Sequence, residues 1–428
     1  MNVEITNLSN GLIVVSDPMS QLESAALGAW VNVGGRNETK PVMGVSHMLE
    51  HMAFKGTERR TARQIAEEIE AVGGYMNAYT SREQTAFHMR TLRADVPLAI
   101  DILGDILTHP TFDQAELERE RQVVLQEIGQ ARDTPDDIVF DHLQSVAFPE
   151  QPMGWPILGD ETTVSNFTRE HLKTYMGANY RGSSMVFVAS GAVEHGRVVE
   201  LVSEHFASLP SGSAENPQKA CYAGGDTRVA EDLEQVHVTY AFPSVSNTDP
   251  DFYVSQVYAT ALGGGMSSRL FQEAREKRGL CYSIYAFAQS FSDGGMLGIY
   301  VGTGETEAAE ISAVVAGEMA GLAETATDQE VARAKAQMKS SLLMGLERPA
   351  TRAEQIAAQL FTYGRIIPVE ELTAKLEAVN ASDVRRFGAR VMNTAQPSIA
   401  VVGPHNNLES HDSFAKRFGA GAARHAAE

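Results

Sequence analysis

Residues 61–74, TARQIAEEIEAVGG, set Ile65, Ile69 and Val72 three and four positions apart with charged residues between them. That spacing predicts a helix with one apolar face, capped by Thr61 and closed at Gly73. FDQAELERERQVVLQEIGQARD, from Phe112, predicts a longer helix with acids along one side. Other stretches change period. AALGAWVNVGG from Ala25, QTAFHMRTL from Gln84, VHVTYAF from Val236 and MLGIYVG from Met296 are rich in β-branched and aromatic residues and predict strands. The two kinds of segment do not alternate strictly, so the pattern favours an α+β fold with antiparallel or mixed sheets over a doubly wound parallel sheet.

The pattern also repeats. VSHMLEHMAFKG from Val45 aligns with VSQVYATALGGG from Val254, sharing the Val-Ser start and the closing glycine. TREHLKTYMGANYRGSSMVFVASGAV from Thr168 resembles SDVRRFGARVMNTAQPSIAVVGP from Ser382: a capped helix, a turn, then a β-branched strand ending in glycine. Similar offsets in both alignments point to a duplication. The expected division is a first half over 1–210, a linker over 211–226 and a related second half over 227–428. The join lies within SLPSGSAENPQKACYAGGD, which has turn composition and no period.

With 428 residues, 43% of them hydrophobic, the chain is long enough for two well-packed domains. No stretch approaches the roughly 20 apolar residues of a membrane span, and the first residues lack a signal-peptide pattern, so a cytoplasmic protein without membrane contact is expected. Two cysteines, Cys221 and Cys281, are too few for a disulfide framework and are expected to be buried thiols. A formal net charge of −20 disfavours nucleic acid as a partner and would attract cationic ligands. GGGMSS, from Gly263 to Ser268, lacks the following Lys-Ser/Thr of a phosphate loop and is better explained as a helix-ending turn.

VSHMLEHMAFKGT, from Val45, carries the chemistry. On a helix His47 and His51 lie about 40° apart around the axis and reach one ion, and Glu50 projects close by. Two imidazoles and a carboxylate suit zinc with one position open to water, and a neighbouring carboxylate can take that water's proton. H-x-x-E-H reverses the commoner H-E-x-x-H and supplies the same groups. The competing reading is two core histidines beside Met48, Leu49 and Met52. A metal site needs a third ligand, and the acidic helix offers Glu116, Glu120 and Glu127; spacing does not choose between them.

These residues resemble the pitrilysin-type inverzincin metallopeptidases, particularly the processing-peptidase beta subunits and their bacterial relatives. GVSHMLEHMAFKGT, GGYMNAYTSREQTAFHM, ERERQVVLQEI, FDHLQSVAF, PILG, GGGMSSRLFQEAREKRGLCYSIYAF and RAEQIAAQLFTYGR carry the resemblance across nearly the whole chain. It implies two related halves forming a clam-like chamber, and one zinc per chain held by His47, His51 and Glu127. It further implies Glu50 as general base and Glu120 as a support for the ligands. Asn77 and Ala78 match an edge strand to which substrate adds, and Arg275 with Tyr282 match a pair reaching substrate from the second half. Phe54, Asp137 and Asp141 match a pocket beyond the cut and a site for an arginine before it; Asp137 is shorter than the usual Glu. Gln256, Ala259 and Thr260 replace His47, Glu50 and His51, so the second half holds no equivalent zinc. The implied activity is cleavage of short or unfolded, cationic, presequence-like peptides. A homodimer is expected, because each chain brings one active and one metal-free half; the alternative is a catalytic subunit needing a separate inactive partner.

Overall fold

A computed structural model describes residues 3–393 and 396–419. The chain forms two compact units. The first comprises Met1–Gln130, Trp155–Gln218 and Leu343–Ile366; the second comprises Ala131–Gly154, Lys219–Leu342 and Ile367–Glu428. The contiguous division expected from sequence, 1–210 and 227–428, omits this exchange of segments. Helical periodicity shows that Pro349–Tyr363 and Pro135–Ala147 have an apolar face; it does not show which sheet that face covers.

In the first unit six strands, β1 (Glu4–Asn7), β2 (Ile13–Pro18), β3 (Ser24–Val31), β4 (Tyr75–Thr80), β5 (Thr85–Leu92) and β6 (Met185–Gly191), form a sheet in the order β1-β2-β6-β3-β5-β4. In the second, β7 (Gly225–Val229), β8 (Val236–Ser244), β9 (Cys281–Ser290), β10 (Gly295–Thr303) and β11 (Ser398–Val402) run β7-β11-β8-β10-β9. Without β1 the two orders coincide. Each sheet has one parallel pair, β2 with β6 and β7 with β11, and is otherwise antiparallel. The fold is therefore α+β with two mixed sheets, and the internal repeat is visible as topology.

Each sheet is covered on both faces, so its central strands are largely buried, β6, β10 and β11 along their whole length. In the first unit one face packs Leu27, Ala29 and Phe87 against Val45, Met48, Leu49 and Met52 of helix Val45–Ala53 and against Ile100 and Leu103 of helix Val96–Thr108. The opposite face packs Trp30, Ala86 and Val188 against Ala353, Ile356 and Ala357. In the second unit, Val139, Leu143 and Ala147 of helix Pro135–Ala147 pack on Ala241, Met296 and Ala400. Helix Ala62–Ala71 starts as its sequence predicts, Thr61 accepting a hydrogen bond from the Gln64 amide, and Gly73 leaves it at φ +68°. Helix Phe252–Gly263 ends in the glycine turn expected there. One expectation fails: Cys281 is buried, but Cys221 is exposed, because it falls in the irregular chain before β7, where no sheet or helix covers it.

Candidate metal centre

Helix Val45–Ala53 begins at Gly44, whose φ of +90° and contact with Gly159 leave no room for a side chain. From that start Val45, Met48, Leu49 and Met52 point into the core, and their burial supplies roughly 1.5–3 kcal/mol each to hold the helix in place. His47, Glu50 and His51 lie on the remaining stripe. Facing it is helix Gln114–Arg132.

His47 Nε2 stands 3.7 Å and His51 Nε2 3.6 Å from Glu127 Oε2. One ligand atom from each of the three residues lies within 4.8 Å of the others. Ligand atoms on a tetrahedral zinc with bonds of about 2.0–2.2 Å are roughly 3.3–3.6 Å apart, so this donor set fits zinc in both chemistry and spacing. Glu120 is placed differently: its carboxylate accepts from His51 Nδ1 at 2.9 Å and pairs with Lys55 Nζ at 2.6 Å. This is the carboxylate–histidine arrangement that fixes a ligand's tautomer and orientation. Glu116 pairs with Arg119 on the same helix, so of the three acids left open by spacing only Glu127 reaches both imidazoles.

The electrostatics follow from burial. Desolvation pushes the His47 imidazolium down to about 3, leaving the neutral ring a metal requires. His47 Nδ1 is buried without a hydrogen-bond partner. For His51 burial also disfavours the charge, but the Glu120 hydrogen bond and the surrounding carboxylates outweigh it and raise the imidazole. In Glu120 burial acts upward, and its bonds to His51 and Lys55 prevail, holding it below the ordinary carboxylate value. Glu50 is raised, chiefly by burial, against the opposing hydrogen bond donated by Thr80 Oγ1 to Oε2 at 2.6 Å. A carboxylate made more basic and held by one donor is suited to accept a proton.

Thr80 ends β4, the edge strand of its sheet, which also carries Asn77 and Ala78. Asn77 is exposed, and its Oδ1 accepts from the Ala78 amide at 2.9 Å. Phe54 closes helix Val45–Ala53 with its ring 6.0 Å from that of Phe87. The other expected site residues belong to the second unit. Arg275 sits in a π-helix, Phe271–Lys277, with its guanidinium 4.7 Å from the Phe271 ring and 5.4 Å from the Tyr282 ring. Tyr282 lies on the edge strand β9 and is 76% exposed. Asp137 and Asp141 lie one turn apart on helix Pro135–Ala147, Asp137 exposed and Asp141 half-buried.

Three contributors were missed in the sequence. Thr80 was discoverable, since strand alternation puts it on the face of Ala78. Lys55 and Glu38 were not: a lysine after a helix and a glutamate in a polar loop are ordinarily solvated. Glu38 is instead 4% exposed, and burial raises its carboxyl to about 7 against hydrogen bonds from the Ser46 and Gly44 amides.

Comparison with known proteins places this chain in a family. The family described as Insulinase (Peptidase family M16) matches residues 13–161, and Peptidase M16 inactive domain matches residues 166–338. An uncharacterized zinc protease of Rickettsia felis is 36% identical over 95% of this chain and 98% of its own length. A probable mitochondrial-processing peptidase subunit beta of Arabidopsis thaliana is 37% identical over 96% of this chain and 80% of its own. The crystal structure of a protease from Helicobacter pylori superposes with a TM-score of 0.87 at 22% identity, covering 94% of this chain and 99% of that one, which supports the fold. The chain belongs to peptidase family M16, and its relatives named here include zinc proteases. Among the described residues no helix is long and apolar enough to cross a membrane.

Proposed function

We propose that the protein is a zinc endopeptidase that cleaves short or unfolded, predominantly basic peptides, with His47, His51 and Glu127 as ligands and Glu50 as general base. The observation that carries this reading is the meeting of the three donor atoms from two helices beside a half-buried, Thr80-bound glutamate. Zinc bound there would polarise water and the scissile carbonyl. Glu50 would accept the proton of the attacking water at its carboxylate and pass it to the leaving amine. Glu120 would hold the His51 ring through Nδ1 so that Nε2 faces the metal. The open edge of β4 would align the peptide backbone at Asn77 and Ala78, which selects extended chains with little regard to sequence. By resemblance, Phe54 would shape the pocket beyond the cut, Asp137 and Asp141 would receive an arginine before it, and Tyr282 with Arg275 would steady the substrate. The net charge of −20 supports a cationic substrate. Each chain brings its own donor set and Arg-Tyr pair, which supports a self-sufficient homodimer; relatives named subunit beta support a two-chain enzyme as the alternative.

Metal analysis of the purified chain should return one zinc, and mass mapping of a mixed peptide library should show cuts with arginine at the second position before the bond. Glu50→Gln should keep the metal and lose at least about a thousandfold in turnover. Unchanged turnover would discard Glu50 as base. Activity that appears only after adding a second, metal-free chain, followed by size-exclusion chromatography, would replace the homodimer with the two-chain form.

A further inference from the structure

The metal-bearing helix starts without a cap of its own. Gly44 occupies the N-cap, where a serine or aspartate would normally accept from the first turn, and a Cβ there would come within 2.7 Å of the Gly159 Cα and the Leu158 carbonyl. The missing acceptor comes from the preceding loop. Glu38 Oε2 accepts from the Gly44 amide at 2.6 Å, and Oε1 from the Ser46 amide at 2.8 Å. Ser46 in turn shares a 2.6 Å hydrogen bond with the Tyr175 hydroxyl, which also reaches the Gly34 carbonyl at 3.3 Å. The same loop is tied to the turn after β4: the Gly35 amide donates to the Ser81 carbonyl, the Arg36 amide to Arg82, and the Arg36 side chain to Glu83 at 2.5 Å. Thr80, which holds Glu50, immediately precedes that turn.

We propose that Glu38 is a positioning residue: it caps helix Val45–Ala53 from outside, and with Ser46 and Tyr175 it fixes the helix against β4, setting where His47 and Glu50 project. Ser46 directly precedes His47, so a small rotation of the first turn moves the His47 ring away from Glu127. The arrangement is more than a fold requirement: Val45, Met48, Leu49 and Met52 already keep the helix in the core, and what Glu38 adds through the Gly44 and Ser46 amides is the rotation of its first turn. The inference rests on the reading of His47, His51 and Glu127 as ligands.

The test is zinc affinity of the full chain, measured by competition with a chromophoric chelator, alongside thermal melting of the metal-free protein. Glu38→Ala should weaken zinc binding about ten- to a hundredfold, the range typical of groups that orient ligands. Glu38→Gln, which keeps shape and one acceptor, should recover part of that loss. Tyr175→Phe, which releases Ser46, should weaken binding several-fold and serves where Glu38→Ala fails to fold. A purely structural role would lower melting temperatures and leave affinity alone. Folded Glu38→Gln and Tyr175→Phe proteins binding zinc within twofold of wild type would overturn the proposal. Wild-type protein that binds no zinc would overturn the ligand reading, and this inference with it.

Discussion

Helix Val45–Ala53 in the first unit and helix Phe252–Gly263 in the second follow the corresponding strands, β3 and β8, of two sheets with matching order. They treat the same positions oppositely. In the second, Gln256 Nε2 donates to the Ala288 carbonyl, Thr260 Oγ1 donates back to the Gln256 carbonyl, and Ala259 is packed in the core at 3% exposure. Both polar side chains there find a partner within the unit. In the first, His47 Nδ1 is buried without a partner, two imidazoles converge on one carboxylate, and Glu50 is half-buried with Thr80 as its donor. A fold that builds both versions does not require the second set. On the proposed function, a metal and a substrate complete the residual polarity of the first helix.

The strongest way to break this comparison is to write the second helix into the first. The triple replacement His47→Gln, Glu50→Ala, His51→Thr should abolish zinc binding and reduce peptide hydrolysis by at least about four orders of magnitude. The metal-free protein should melt close to wild type. A buried, unpaired polar atom costs about 1–3 kcal/mol, and removing the one at His47 Nδ1 offsets the loss of the His51–Glu120 and Thr80–Glu50 hydrogen bonds. A clear fall in melting temperature, read by calorimetry on metal-free samples, would show that these side chains serve the fold rather than the chemistry.

The reverse exchange tests the second helix. Ala259→Glu puts a carboxylate into a core of Val257, Tyr258 and Leu262. It should destabilise the protein by about 3 kcal/mol or more, measured as a lowered denaturant midpoint. A neutral result would mean that the second unit retains a latent polar pocket.

How much of this could be read in advance varies with the range of the interaction. Period and capping gave the strands around Leu27, Phe87 and Val238 and the helix from Ala62, since those signals are local. The two-histidine stripe was legible for the same reason: i and i+4 on a helix is a local geometry. Beyond that range the sequence was silent. Glu127 comes from another helix, and spacing left it level with Glu116 and Glu120; resemblance alone preferred it. Glu38 shows the physical limit most clearly, since a glutamate among Arg36, Asn37, Thr39 and Lys40 has every mark of a solvated loop. Only the tertiary arrangement reveals that the uncapped end of a helix draws it inside.

That burial has a pH signature with no counterpart at the second helix. Glu38 is raised to about 7 from an unfolded value near 4.5, by burial against the Gly44 and Ser46 amides, with the Tyr175 phenol as its titratable neighbour. Between those values the folded chain holds a proton that the unfolded chain has released. The contribution is therefore fully present below about pH 4.5 and is lost as pH rises through about 7, amounting to no more than about 3 kcal/mol. Subtracting the pH–stability curve of metal-free Glu38→Gln from that of wild type should show this decline. A difference that stays flat, or climbs with pH, would mean that Glu38 is ionised throughout and that its amide bonds outweigh desolvation.

The finest test concerns how each helix is fastened to the edge strand of its sheet. In the second unit the fastening uses backbone: Gln256 donates to the Ala288 carbonyl of β9. In the first it uses a side chain, Thr80 of β4, and its target is Glu50 itself. If that bond only secured the helix, as its counterpart does, Thr80→Val would lower stability slightly and leave catalysis intact. If it orients the base, the same change should reduce kcat about tenfold, the worth of one hydrogen bond to a charged group, while zinc affinity and KM stay within about twofold. Equal loss in kcat and zinc affinity would instead indicate that Thr80 holds the whole helix, and the distinction between a fastened base and a fastened helix would fall.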